Sequence, residues 1–246
     1  MSKTAVQHGG NLSAAAKRFG GEPHGWLDLS TGVNPCPFDL GPLPRRIFEK
    51  LPDPQDLDEL ERLAKDFWSA PAGCEVLAVP GLSSVIPRLV DLAVPGRVSI
   101  PSPTYGEYHA VFSARGWENS DLDPTVQILV NPNNPDGRIW ESIDCDENAL
   151  TIVDESFGDV CPASSLISLA GKNNTIVLKG LGKFWGLAGV RLGYVFAGPD
   201  TIASLRAKIG PWPISGPAIH AGLIFRVLLL KQFAICQIQT VDRSMA

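Results

Sequence analysis

The sequence predicts an α/β domain built on a mostly parallel sheet sandwiched by helices. Three observations carry this. Short, mainly apolar runs recur at Val76–Val79, Val98–Ile100, Val126–Val130, Leu150–Val153, Ile176–Leu178 and Tyr194–Ala197. Stretches with helical patterning, such as Ser83–Ala93 and Tyr105–Arg115, separate several of them. Residues able to do chemistry fall at or just after the runs: Gly81-Leu82-Ser83, Pro103-Thr104-Tyr105, Asn131 to Gly137, Asp154 and Lys183. Strands apolar along their whole length are those buried on both faces, as in a parallel sheet covered by crossover helices. In such sheets ligands bind beyond the carboxyl ends of the strands.

Taken in order, residues 1–50 are rich in Gly and Pro and read as an extended arm with turns that ends near the substrate. Asp53-Pro54 then opens a helix, since Asp53 can accept from free N–H groups and Pro54 suits the first helical position. Leu57, Leu60, Leu63, Ala64, Phe67 and Trp68 follow at helical spacing, and Gly73 closes the segment. The alternating runs fill the rest of a main domain over residues 51–219. Within 220–246, Ala221–Leu230 is apolar but broken by Arg226 and followed by Lys231. A membrane span needs about 20 apolar residues, so this stretch reads as a buried helix.

Composition narrows the function. A 246-residue chain that is 44% hydrophobic can bury a large core. With a net charge of -5 and no charge runs, nothing favours nucleic acid or an anionic membrane as partner. Cys36, Cys74, Cys145, Cys161 and Cys236 are odd in number, scattered and without a C-x-x-C pair, as expected of reduced thiols in a cytoplasm. His8, His24, His109 and His220 lack metal-ligand spacing. GLGK (180–183) is not a phosphate-binding P-loop, because Val177 stands in place of its first Gly and Phe184 in place of its Ser/Thr. No G-x-S-x-G surrounds any serine.

One cofactor matches what is present. Pyridoxal phosphate needs a lysine amine for its aldehyde and a carboxylate for its ring nitrogen. Its phosphate needs N–H groups at a helix N-terminus and a cation, and its ring needs an aromatic neighbour. Lys183 lies in the small-residue loop KGLGKFWGLAG, and Asp154 ends an apolar run. Leu82 and Ser83 open a helix after a strand, Arg191 follows Lys183 by eight residues, and Tyr105 follows a Pro-rich turn. Each has an ordinary explanation alone: a solvated lysine, a helix cap, a turn aromatic. Their order at strand ends favours the cofactor.

NPNNPDG (131–137), DESFGD (154–159) and GKFWGLAGVRLGY (182–194) resemble the signature blocks of fold-type I pyridoxal phosphate enzymes. The chain is most similar there to histidinol-phosphate aminotransferases and threonine-phosphate decarboxylases. HGGN (8–11) followed by LDLSTGVNPCPF (27–38) tilts the likeness toward the decarboxylases. The resemblance implies an aspartate aminotransferase-like large domain in a homodimer, acting on a small phosphorylated amino acid. It implies that Lys183 joins the cofactor aldehyde, Asp154 pairs with the ring nitrogen and Asn134 bonds the phenolic oxygen. Tyr105 would stack on the ring, and Leu82, Ser83 and Arg191 would hold the phosphate. His8 and Gly9 would lie near the substrate, with His8 a candidate for its phosphate, and Asn34 would lie near its carboxylate. A turn-forming Asn34 and a solvated His8 are the competing readings.

Three positions depart from the family. Phe157 stands where many relatives carry a tyrosine hydroxyl, Gly180 where a Ser or Thr commonly touches the phosphate, and Leu51 where a tyrosine often reaches the neighbouring subunit. Each loses a hydrogen bond of about 1 kcal/mol. Relatives also continue past PWPIS (211–215) into a small domain of about 100 residues carrying the arginine for the substrate carboxylate. Residues 220–246 do not resemble that continuation, so the expectation is a truncated or frame-disrupted tail and slow turnover. The functional readings are decarboxylation of threonine phosphate, transamination of histidinol phosphate or a related amino acid, and a non-catalytic remnant of the fold.

Overall fold

In a computed structural model, residues 9–143, 145 and 148–225 are described. Among these residues seven strands form one sheet: β1 (Glu75–Val79), β2 (Arg97–Ser99), β3 (Glu118–Asn119), β4 (Val126–Val130), β5 (Leu150–Asp154), β6 (Thr175–Gly180) and β7 (Gly193–Ala197). Their order across the sheet is β1-β7-β6-β5-β4-β2-β3. The pairs β2/β3, β2/β4, β4/β5 and β5/β6 are parallel, while β7 runs antiparallel to both β6 and β1. All strands except β7 therefore end at one edge, and β7 begins there. The expected mostly parallel sheet is present. The short chain between Gly180 and Gly193 cannot hold a crossover helix, so β7 must return antiparallel.

Five helices have described bounds: α1 (Leu12–Phe19), α2 (Pro54–Phe67), α3 (Leu82–Leu89), α4 (Gly106–Ala114) and α5 (Pro199–Ile209). Helix α2 starts as its sequence predicts, with the Asp53 carboxylate accepting from Gln55 N at 2.9 Å and Pro54 leading. α3 ends earlier than the apolar pattern suggests, with Pro87 inside it and a 3-10 turn over Val90–Leu92 following. The arm is less extended than its Gly and Pro content implies. Residues 12–19 are helical, with Asn11 Oδ1 accepting from Ala14 N at 3.0 Å and Lys17 and Arg18 in the last turn. Residues 216–225 are also helical, and Ala218, Ile219, Ala221 and Phe225 are buried, in keeping with the first half of the buried helix read over 221–230; the rest of that stretch lies outside the described residues.

Strand alternation splits the core into two layers. Ile128, Ile152, Ile176, Leu178 and Val195 pack on one face with Ile86 and Leu89 of α3, Tyr108 and Phe112 of α4, and Leu205 of α5. Val153, Val177, Tyr194 and Phe196 pack on the other with Leu60 and Ala64 of α2, Ile219 and Phe225. Full burial of such side chains contributes about 1.5–3 kcal/mol each. The open edge of β1 is covered by side chains: Ala78 N donates to Glu61 Oε1 at 2.9 Å, and Arg206 Nη2 donates to Glu61 Oε2 at 2.8 Å. Among the described residues no helix is long and apolar enough to cross a membrane.

Candidate active site

At the edge where six of the strands end, a cavity of about 200 Å³ opens. Leu82, Ser83, Tyr105, Asn134, Asp154, Lys183 and Arg191 all line it. Residues spread over more than a hundred positions meet there because their strands end side by side.

Asp154 is the last residue of β5 and is buried. Its Oδ1 accepts from Ser156 N at 2.8 Å and from Ser156 Oγ at 2.6 Å, and its Oδ2 accepts from Tyr108 Oη at 2.6 Å. A carboxylate has about four acceptor sites, so Oδ2 can still take a donor such as a protonated ring nitrogen. Tyr108 is fully buried, and desolvation, aided by the Asp154 charge, holds its hydroxyl well above the usual tyrosine range. It is therefore a permanent donor. Sequence reasoning passed over Tyr108; the signal was its place one helical turn after Tyr105.

Lys183 follows β6 by three residues. Burial lowers the pKa of its amine, the Asp154 charge opposes that shift and Arg191 adds to it. The Nζ lies 5.5 Å from the centre of the Phe157 ring. Among the described residues it has no hydrogen-bond partner, which leaves it free to react. The other lysine of the block is differently disposed. Lys179 is buried on the opposite sheet face and paired with Glu155 and Asp159.

The anion end of the cavity is built from α3 and the chain before β7. Gly81 precedes α3 with φ +76°, and among the described residues no side chain caps the helix. The first N–H groups of a helix lack intrahelical acceptors and attract anions. Arg191 Nη2 donates to Ser83 Oγ at 2.9 Å, and Nη1 donates to Ala188 O at 3.2 Å. A Cβ at position 81 would lie 2.4 Å from Arg191 Nη2, so glycine is what lets the guanidinium approach. Arg191 is itself left-handed at φ 55°, a conformation costing on the order of 1 kcal/mol. A cation, a hydroxyl and an uncapped helix start form a cradle suited to a phosphate.

Tyr105 is half-buried and packs edge-on to Tyr108 at 6.1 Å. In the NPNNP segment the work is divided. Asn133 Nδ2 donates to Pro103 O at 2.9 Å and to Asp136 Oδ1 at 2.7 Å, and Thr104 Oγ1 donates to Asn133 Oδ1 at 2.7 Å. That tie leaves Asn134 at the cavity. Asn34 does not line it; its Nδ2 donates to Phe184 O at 2.8 Å and its N to Lys183 O at 3.0 Å, so it grips the lysine loop from behind. Gly9 packs on Ser30, where a Cβ would meet Ser30 O at 2.1 Å, and His8 lies outside the described residues. Of the departures, Phe157 and Gly180 line the cavity, while Leu51 is exposed on the arm.

Comparison with known proteins accords with this geometry. Residues 118–224 match the family model described as aminotransferase class I and II. A threonine-phosphate decarboxylase from Sinorhizobium sp. is 43% identical over 232 residues, which cover 87% of this chain and 69% of that protein. The chain belongs to the threonine-phosphate decarboxylase family. A second member, the threonine-phosphate decarboxylase of Pseudomonas aeruginosa, is 35% identical with the same coverage of both chains. Among solved structures, a histidinol-phosphate aminotransferase from Sinorhizobium meliloti in complex with pyridoxal-5'-phosphate superposes with a TM-score of 0.62. It is 20% identical, the match covers 74% of this chain and 58% of that one, and the likeness is one of fold. The domain found here thus has the fold-type I, aminotransferase-like arrangement of sheet and helices.

Proposed function

We propose that this chain holds pyridoxal phosphate and decarboxylates L-threonine O-3-phosphate, forming the aminopropanol phosphate unit of the cobalamin side arm. The observation that carries this is the meeting of Lys183, Asp154 and the Ser83–Arg191 pair at one cavity in a member of this family. When bound, the cofactor supplies the electron sink for the bond broken at the substrate α-carbon.

The residues divide that work. Lys183, its pKa lowered by burial, offers a larger share of free amine to the cofactor aldehyde near neutral pH than an exposed lysine does. Asp154, fixed by Tyr108 and Ser156, holds the proton on the ring nitrogen. Leu82, Ser83 and Arg191 hold the phosphate, Asn134 bonds the phenolic oxygen and Tyr105 covers the ring. His8 and Gly9 belong to the substrate's side, where a small phosphorylated amino acid enters, while the Asn34 turn serves that side only through the loop carbonyls of Lys183 and Phe184 that it holds. Residues 51–219 act as the cofactor domain.

A homodimer fits the exposure of Leu27, Leu29, Phe48 and Leu51, apolar side chains that association would cover. A cytoplasmic setting fits the unpaired thiols of Cys36, Cys74, Cys145 and Cys161.

The test is to supply the chain with pyridoxal phosphate and threonine phosphate and to follow carbon dioxide and aminopropanol phosphate together. Both should appear in equal amounts. Conversion of histidinol phosphate that consumes a 2-oxo acid, with no carbon dioxide released, would assign the site to transamination instead.

A further inference from the structure

Asn131, Glu155, Asp159, Lys179 and Trp185 belong to the sequence blocks that build the cavity or adjoin them, yet none of them lines it. They meet in one cluster on the sheet face opposite Asp154. Lys179 Nζ pairs with Glu155 Oε2, lies 3.7 Å from Asp159 Oδ1 and donates to Ser165 Oγ at 3.2 Å. Glu155 Oε1 accepts from Leu166 N and, at 3.3 Å, from Asn131 Nδ2. Asp159 accepts from two indoles, Trp68 Nε1 at 2.8 Å and Trp185 Nε1 at 2.6 Å. A Cβ at Gly158 would fall 2.9 Å from Lys179 Nζ, so glycine is what admits the ammonium between the two carboxylates.

A buried ion pair adds little net stability over apolar packing of the same volume, and what it specifies is geometry. Here the geometry specified is that of the lysine loop. Trp185 stands two residues after Lys183, and its ring is boxed by Phe38, Phe67 and Phe225. Three successive loop carbonyls are held by the arm: Lys183 O accepts from Asn34 N at 3.0 Å, Phe184 O from Asn34 Nδ2 at 2.8 Å and Trp185 O from Phe38 N at 2.9 Å. The arm fixes the loop's backbone. The Asp159–Trp185 bond is the tie from its side-chain side.

We infer that Asp159, acting through Trp185, is a positioning residue that sets the direction in which the loop presents the Lys183 amine, while Lys179 and Glu155 hold Asp159 in place. This rests on the reading of Lys183 as the cofactor lysine. The second indole provides the control, because Trp68 binds the same carboxylate from the end of α2 and, among the described residues, makes no hydrogen bond to the lysine loop.

Trp185→Phe and Trp68→Phe are compared in the full chain by two measurements. One is amide hydrogen exchange across residues 181–187 before cofactor is added. The other is the rate at which added pyridoxal phosphate becomes fixed to the Lys183 peptide by borohydride. Trp185→Phe is expected to speed exchange in that peptide at least tenfold and to slow attachment at least fivefold. Trp68→Phe is expected to leave both within twofold of the unsubstituted chain. Equal effects from the two variants, or unchanged exchange in Trp185→Phe, would overturn the inference. Should Trp185→Phe not fold, Asp159→Leu, which leaves Trp185 Nε1 without its acceptor, is read by the same measurements, and wild-type values there overturn it equally. If the unsubstituted chain never fixes cofactor on Lys183, the cofactor reading fails by itself, and the exchange comparison still decides the positioning role.

Discussion

Tyr108 and Asp154 meet at the back of the cavity, the tyrosine hydroxyl donating to Asp154 Oδ2 at 2.6 Å with both residues buried. Tyr108 comes from α4 and Asp154 from the end of β5, so this bond ties a helix on one sheet face to the site. Removing the hydroxyl leaves a buried carboxylate short of a donor, which costs about 1–3 kcal/mol. Tyr108→Phe is therefore expected to lower unfolding stability by that amount and to weaken turnover, while Lys183 still takes up cofactor. Denaturant unfolding and borohydride labelling measure the two effects. Unchanged stability would show that Ser156 alone satisfies Asp154.

Cofactor attachment should be confined to Lys183. Lys179 is only four residues away but is buried, paired with two carboxylates and on the far face of the sheet. Borohydride reduction after addition of pyridoxal phosphate should leave the label on the Lys183 peptide, and Lys183→Ala should abolish it. A label on Lys179 in the Lys183→Ala chain would reverse the assignment.

What the sequence could reveal follows from how local each signal is. The runs at Val126–Val130 and Leu150–Val153, apolar except for Gln127 and Thr151, announce buried strands because burial on both faces leaves few polar positions. β3 announces nothing: it is two residues long, and Glu118 and Asn119 are exposed. α1 was hidden by the glycine pairs on either side, although Asn11 before an alanine run is a helix-start signal. The cavity residues could be found because each ends a strand or opens a helix. Glu155 and Asp159 could not, since partners stand 24 and 91 positions away and nothing local marks the pairing, while Tyr108 was marked only by its place one helical turn after Tyr105.

The two charges flanking Lys183 act on it in opposite senses, which gives a signed test. Asp154 raises the amine pKa and Arg191 lowers it, while burial sets the net downward shift. The free amine is the reactive form, so labelling rises with pH up to the amine's own pKa. Asp154→Asn removes the charge that raises the pKa and should move the labelling profile to lower pH. Arg191→Gln should move it to higher pH. Pyridoxal without its phosphate is the suitable probe, because its binding does not depend on the Arg191 cradle. Reductive labelling of the Lys183 peptide between pH 6 and 10 reads both. Shifts in the same direction would mean that changes in packing, not charge, govern the amine.

Gly180 offers a gain-of-affinity test. It lines the cavity in place of the Ser or Thr common in related enzymes, and its φ is not in the left-handed range. A Cβ there would meet Leu82 Cδ1 at 3.5 Å and Leu82 Cγ at 3.7 Å, ordinary contact distances, so a serine fits without displacing backbone. Its hydroxyl would add a donor beside Leu82 and Ser83, where α3 already presents its free N–H groups. A hydrogen bond to a charged group contributes about 1.5–3 kcal/mol, and part of that is lost in fixing the rotamer and displacing water. Gly180→Ser should therefore tighten pyridoxal phosphate by about three- to tenfold, roughly 0.7–1.4 kcal/mol at 1.4 kcal/mol per tenfold. Pyridoxal without the phosphate should be unaffected. Titration of the two cofactors against both chains separates the outcomes, since equal tightening of both would point to better loop packing and not to a phosphate contact. Gly193 shows why the position matters: a Cβ there would lie 2.8 Å from Leu82 Cδ2, so the corresponding Gly193→Ser should crowd α3 and weaken cofactor binding.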